Sequence, residues 1–415
     1  MTDLITETPD PDLQKSAGEN FGDRSFSPNG QLGCHDSGPN DPGDAALVEL
    51  LRRDRDRQLK ALTVELGESL DGRTVVYLDT CFWIHLRDAQ RGDHGVRGGE
   101  LLGRVRGALA TGAAIFPISD MTVFEVLKQS PTSRAETAAL IAELSQGVSI
   151  VDTHRRMATE ICHLVKTGRP ELDPDQFHPL RHLVWSRGLG MAGMDCPYVP
   201  GMDPGQAVRL QRRVLDHLWR SIGAEEVIAA FDAFDDEDFH KLVVELNLRI
   251  AKHSGELDSF KTAYGAEAGG VADLAGDVSM EIFADEARAA GIEPPQPGTE
   301  AWTQARGRWC ALLVAALTNG PKPRQRLRTL HALAALHAAF RWNKGQKFEV
   351  NDLYDFEHAA AALGYCQMFF TERPLHHMIT AGNLKLDQLF DCRVVHGFDA
   401  AIAAIAGLAK PSPSS

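Results

Sequence analysis

The feature that most constrains this chain is a change in hydrophobic period along its length. Short apolar β-type runs, TVVYLD (74–79), AAIFPIS (113–119) and GVSIVDT (147–153), alternate with helical patterns in the first part. From 154 to 347 no strand pattern occurs, and apolar residues recur at helical spacing between Gly/Pro loops. The β/α alternation then returns with strands QMFFT (367–371) and DCRVV (391–395). Strands separated by helices predict a parallel sheet covered on both faces. The expected layout is therefore one α/β domain, its halves 44–153 and 348–408, split by an all-α insertion over 154–347.

The helical patterns are specific enough to place. AALVELLRRDRDRQLKALTVELGESL opens the ordered chain, and CFWIHLRDAQ follows the first strand. A Gly-rich loop, RGDHGVRGGE, leads to LLGRVRGALATG, and SDMTVFEVLKQS begins at Ser119 or Asp120 as N-cap. TSRAETAALIAELSQG precedes the third strand, and the insertion holds QAVRLQRRVLDHLWRSIGAEEVIAAF, EDFHKLVVELNLRIAKHS and TEAWTQARGRWCALLVAALTNG as helices. Helices DFEHAAAALGYC, RPLHHMITAG and FDAAIAAIAGLA complete the second half. Residues 1–43, rich in Gly, Pro, Asp, Ser and Asn, and the tail 409–415 are expected to be disordered.

Composition narrows the function classes. Seven cysteines without a CxxC pair, and an N-terminus with neither a basic start nor an apolar core, predict reduced thiols and a cytoplasmic protein. No apolar run approaches the ~20 residues of a membrane span. With 57 acidic against 43 basic residues the net charge is −14, which argues against non-specific coating of a polyanion. An enzyme with one local basic tract is not excluded by that balance.

In an open parallel sheet, ligands bind outside the carboxyl ends of the strands. Four acids fall there: Asp79 ends the first strand, Glu125 lies on the helix after the second, Asp355 heads the helix before the fourth, and Glu372 follows the fourth. Carboxylates that close repel one another unless a cation compensates, and oxygen ligands suit Mg²⁺ or Mn²⁺. Each acid also has a local reading. Asp79 or Thr80 caps the next helix, Glu125 closes a capping box with Thr122, Asp355 is an N-cap, and Glu372 suits a first helical turn. Four acids in order at strand edges favour the shared site, with Asp352 as a reserve ligand or a cap.

The series VVYLDT, PISDMTVFE, DFEHAAAAL and MFFTER resembles the PIN-domain (PilT N-terminus) nucleases across 73–153 and 348–408. The resemblance implies a three-layer PIN-like core around a parallel sheet and a metal-dependent endoribonuclease. Asp79, Glu125, Asp355 and Glu372 would hold the ion, and Thr371 would orient a carboxylate or phosphate oxygen. RNA rather than DNA is the implied substrate, cut to leave a 5′-phosphate and a 3′-hydroxyl. Glu372 stands where the family has Asp, Cys81 where Asn is common, and Gln367 where an acid is frequent. The rival reading is an inactive PIN-like scaffold that binds RNA or an inhibitor or partner protein through the insertion.

A basic tract, PKPRQRLRTLHALAALHAAFRWNKGQK, precedes Asp355 with seven Lys or Arg and no acid. It is either a solvated helix face or a phosphate-binding surface formed by Arg324, Arg326, Arg328, Arg341 and Lys344, with Trp342 to stack on a base. Its Arg326 and His331, at Arg-x4-His spacing, resemble the metal-independent HEPN ribonucleases, a third and weaker alternative. The acidic run FDDEDF (234–239) reads as a helix start, and His376–His377 as a surface pair.

Overall fold

The computed structural model describes residues 42–168, 177–192, 201–231, 236–253, 255, 259–289, 291–343 and 346–408. The segments expected to be disordered lie outside these residues, except that the first helix, Pro42–Ser69, already begins at 42. Lys344 and the first part of the FDDEDF run are also outside them. The described residues contain six strands: β1 (Thr74–Leu78), β2 (Ala114–Ile115), β3 (Ser149–Ile150), β4 (Trp185–Ser186), β5 (Met368–Phe370) and β6 (Arg393–Val395). Four of them form a parallel sheet in the order β2-β1-β5-β6. The α/β expectation therefore holds, with both sequence halves contributing to one sheet.

Period-2 alternation sorts the side chains between two cores. Val75, Tyr77 and Phe369 join one apolar cluster, while Val76, Leu78 and Phe370 join the other. The second cluster is closed by helices Thr80–Arg91, Gly95–Ala110, Pro131–Ser145 and Phe398–Ala406. Against the first face lies helix Val350–Tyr365, whose Ala359, Ala360, Ala361 and Ala362 are fully buried. Small side chains there let a further helix, Arg328–Trp342, pack closely behind it, and Phe260–Leu274 packs behind that. One face thus carries a stack of helices rather than a single layer. The insertion shares an unbroken core with the sheet.

Several expectations need correction. β3 does not extend the parallel ladder as a full strand. It makes one parallel bridge, Ile118 to Ser149, and pairs antiparallel with β4, inside the segment expected to lack strands. Pro117 has no N–H to donate, which breaks the β2 ladder after Ile115. β4 has two residues, too few for any periodic signal. The Gly-rich loop is partly helical, since Gly95–Ala110 begins within it. The single helix expected over 206–231 is two, Pro204–Ser221 and Ala224–Ala230, divided at Ile222 and Gly223.

At the carboxyl edge the register decides what can meet. Leu78 pairs with Phe370, and Phe370 with Val395. The Asp79 N–H donates to the Phe370 carbonyl at 2.9 Å, and the Thr371 N–H to the Val395 carbonyl at 2.9 Å. Asp79, Thr371 and His396 therefore leave the sheet side by side. No helix among the described residues is long and apolar enough to cross a membrane.

Candidate metal centre

Each acid takes its position from the element that carries it. Asp79 is extended (φ −61°, ψ 155°) and its carbonyl accepts from the Phe82 N–H at 2.9 Å, so its backbone starts helix Thr80–Arg91. Its side chain makes no cap. Instead the Thr371 hydroxyl donates to Asp79 Oδ2 at 2.6 Å, tying the ends of β1 and β5 together. Glu125 likewise does not close a box with Thr122, because the capping partners of helix Asp120–Leu127 are Ser119 and Thr122. The Glu125 carboxylate accepts from the Thr80 hydroxyl at 2.5 Å and bonds His358 Nε2 at 2.7 Å.

Asp355 is not the head of its helix. Helix Val350–Tyr365 starts five residues earlier in the chain, with Glu349 at the N-cap and the Glu349 N–H donating to Asp352 Oδ2 at 2.7 Å. That makes Asp352 a cap residue and sets Asp355 in the second turn, where its carboxyl is free of capping. Glu372 is the exposed N-cap residue of helix Arg373–Thr380 without a side-chain cap bond, and it borders an open cleft.

His358 was not among the residues singled out from the sequence. It lies three positions after Asp355, on the same helical face, and that i, i+3 spacing in DFEH is the signal that identifies it. Fully buried, it bonds Glu125 through Nε2 and the Tyr77 hydroxyl through Nδ1 at 2.6 Å. Tyr77 also reaches Ser119 Oγ at 2.6 Å. Burial alone would push the His358 pKa down. Tyr77 and the Glu125 and Asp79 carboxylates outweigh it and hold the pKa well above the ordinary histidine value. An imidazolium satisfies the chain, donating to Glu125 from Nε2 and to the tyrosine oxygen from Nδ1.

Oxygens of Asp79 and Glu125 and a ring nitrogen of His358 lie within 4.8 Å of one another, a group that could hold a metal ion, the ring serving as a ligand only in its neutral form. Neighbouring charge is consistent with one. Burial, then the Asp79 carboxylate, with Glu125 and Glu372 adding, pushes the Asp355 pKa up to about 8. Burial raises that of Asp79 too, against the pull of His358 and Thr371. A carboxyl that retains its proton as far above the usual range as Asp355 does is one from which a cation would displace it. Because both ring nitrogens of His358 are already bonded, its direct part is to hold Glu125 in place, while oxygen atoms remain the main donors.

The arginines of the basic tract are engaged within the fold. Arg324 donates to the Leu317 carbonyl at 2.7 Å, Arg326 to Thr167 Oγ1 at 2.6 Å and Arg328 to the Gly364 carbonyl at 2.5 Å. Arg341 pairs with Glu267, and Trp342 is partly exposed. Arg328 and Arg341 lie on the largely buried helix Arg328–Trp342, and Arg324 and Arg326 precede it, so these four arginines tie the insertion together rather than forming a free basic face. His331 is buried against Tyr264, whose hydroxyl lies 2.7 Å from Nδ1, and burial with the Arg324 charge pushes its pKa down to about 3.

Comparison with family models, curated proteins and solved structures finds no match to this chain.

Proposed function

We propose that this protein is a divalent-metal-dependent nuclease of PIN-like organisation, hydrolysing phosphodiester bonds in RNA. The carrying observation is the buried Asp79–Glu125–His358 group at the carboxyl edge of a parallel sheet, with Asp355 close enough for the Asp79 and Glu125 charges to raise its pKa. Asp79, Glu125 and Asp355 are the proposed ligands of Mg²⁺ or Mn²⁺, with Glu372, exposed on the cleft beside them, as a fourth. Such an ion, when bound, supplies a more acidic water and charge neutralisation at the reacting phosphate. The chain's own contribution is orientation. Thr371 fixes one oxygen of Asp79, Thr80 and His358 fix Glu125, and Tyr77 fixes the imidazole.

The HEPN-type alternative is disfavoured by the burial of His331 and its bond to Tyr264, which leave no proton acceptor facing solvent. The inactive-scaffold alternative predicts no saturable ion binding. Calorimetric Mn²⁺ titration of the wild type and Asp79→Asn, with cleavage of labelled single-stranded and hairpin RNAs, tests the reading. Saturable binding and cutting, both lost in Asp79→Asn, are expected. Cutting that persists in EDTA or in a folded Asp79→Asn protein would overturn it.

A further inference from the structure

Beside the carboxylates a cleft of about 360 Å³ opens between β5, β6 and the helices that follow them, lined by Cys81, His85, Glu372, Arg373, His396 and Phe398 among others. It shares Thr371 with the metal centre, since the same threonine donates to Asp79. Its lining sets one carboxylate, Glu372, beside one guanidinium, Arg373, with the imidazoles of His85 and His396 and the ring of Phe398.

Arg373 is exposed, donates from Nε to His377 Nε2 at 3.2 Å, and has no carboxylate partner among the described residues. Arg373 therefore presents a guanidinium at the mouth of the cleft. The rings of His376 and His396 lie 4.5 Å apart, with His377 6.1 Å from His396. Opposite, Phe398 is half-buried and lies against His85 and His94, at 5.2 and 5.6 Å between ring centres. Gly397, at φ 77°, supplies the left-handed turn that carries the chain from His396, just past β6, to Phe398 on the last helix.

We infer that this cleft seats one nucleotide of a single-stranded polynucleotide, its phosphate on Arg373 beside His396 and its base against Phe398. The inference rests on the nuclease reading and names the substrate class for it. The volume is at the lower end of the ~300–1,000 Å³ of ligand pockets, room for one nucleotide but not for a base pair with both backbones. A guanidinium matches phosphate geometry through paired N–H donors, and an aromatic face stacks on any base. Glu372 at the junction links the two regions, so the phosphate next along the strand reaches the Asp79–Asp355 side.

The test separates binding from cleavage. Fluorescence anisotropy in EDTA, where no strand is cut, measures a labelled 12-nucleotide RNA, its DNA counterpart and a blunt RNA hairpin against wild type, Arg373→Ala, Arg373→Lys and Phe398→Ala, each checked for folding by circular dichroism. Arg373→Ala should weaken both single strands tenfold or more and lower the salt slope by about one, with Arg373→Lys keeping the salt slope but only part of the affinity, since it keeps the charge without the paired donors. Phe398→Ala should weaken single strands about tenfold and leave the hairpin unchanged. Equal RNA and DNA binding assigns the contact to phosphate and base alone, and an RNA preference adds a sugar contact to the same cleft. Wild-type affinity for both strands in Arg373→Ala and Phe398→Ala, or no single-strand binding by wild type, overturns the inference. Mn²⁺ titration of the same proteins reports independently on the nuclease reading: variants that bind the ion but not the strand leave the metal centre standing.

Discussion

Thr371 and Asp355 expose the working parts of the site most directly. Thr371 donates to Asp79 across the ends of two strands, so Thr371→Val removes the donor while keeping shape. Loss of such an orienting bond weakens ion binding by about tenfold, and calorimetry on the two proteins measures it. Asp355 sets the pH dependence. Its pKa near 8 means that below this pH the metal-free site holds a proton there, which an ion must displace. Mn²⁺ affinity should therefore rise from pH 6 to pH 8 by about tenfold or more and then level, with a shallower rise in Asp355→Asn. Of the four acids, Asp79 and Glu125 lie with His358 in one buried group, while Asp355 and Glu372 are linked to them by charge. His358 escaped notice because a lone histidine in an alanine-rich helix reads as core until its two hydrogen bonds are seen.

At the scale of elements, two junctions carry much of the organisation. Gly188 opens the short helix Gly188–Ala192 against the break at Gly223, and an added Cβ would lie 2.4 Å from the Gly223 carbonyl oxygen. All of the crowding atoms are backbone, so Gly188→Ala should cost about 1–3 kcal/mol, read as a lower urea midpoint. Glu160 joins three helices. It lies on Thr153–Thr167, accepts the Thr329 N–H at 2.8 Å at the start of Arg328–Trp342, and accepts the Tyr365 hydroxyl at the end of Val350–Tyr365. Burial pushes its pKa up to about 7, against the pull of these donors. The folded state thus keeps a proton that the unfolded chain releases near its ordinary value. That stability is fully present at low pH and is lost as pH rises through about 7, by roughly 3 kcal/mol. Urea unfolding at pH 5 and pH 8 should show this loss in the wild type and a flatter profile in Glu160→Gln. These junctions were not legible in the sequence, because Gly–Gly contact and a buried carboxyl between helices depend on residues far apart along the chain.

For the whole molecule, the decisive property is that the insertion and the sheet share a core. Ala359–Ala362 are buried between β5 and the helix Arg328–Trp342, and the same apolar cluster runs on through Ala263, Ala268 and Leu313. Replacing 154–347 by a short linker would bare that whole helical face. We expect the resulting chain to bind a hydrophobic dye and lose cooperative unfolding, whereas an autonomous insertion would leave a sheet domain with a sharp transition. Chemical denaturation with and without the dye distinguishes the two.

Local pattern by itself determined the alternation of strands and helices, the split of the sheet between distant segments, and the order of Asp79, Glu125, Asp355 and Glu372 along the chain. Those features follow from hydrophobic period and strand ends, which neighbouring residues encode. Only tertiary structure decided that β4 pairs with β3, that the basic tract is packed inward, that Asp355 stands within its helix rather than at its head, and that His358 bridges Tyr77 and Glu125. Each of these depends on burial and contact between residues remote in sequence, and the free energy of a buried charge or hydrogen bond is set by its partners rather than by its chain neighbours.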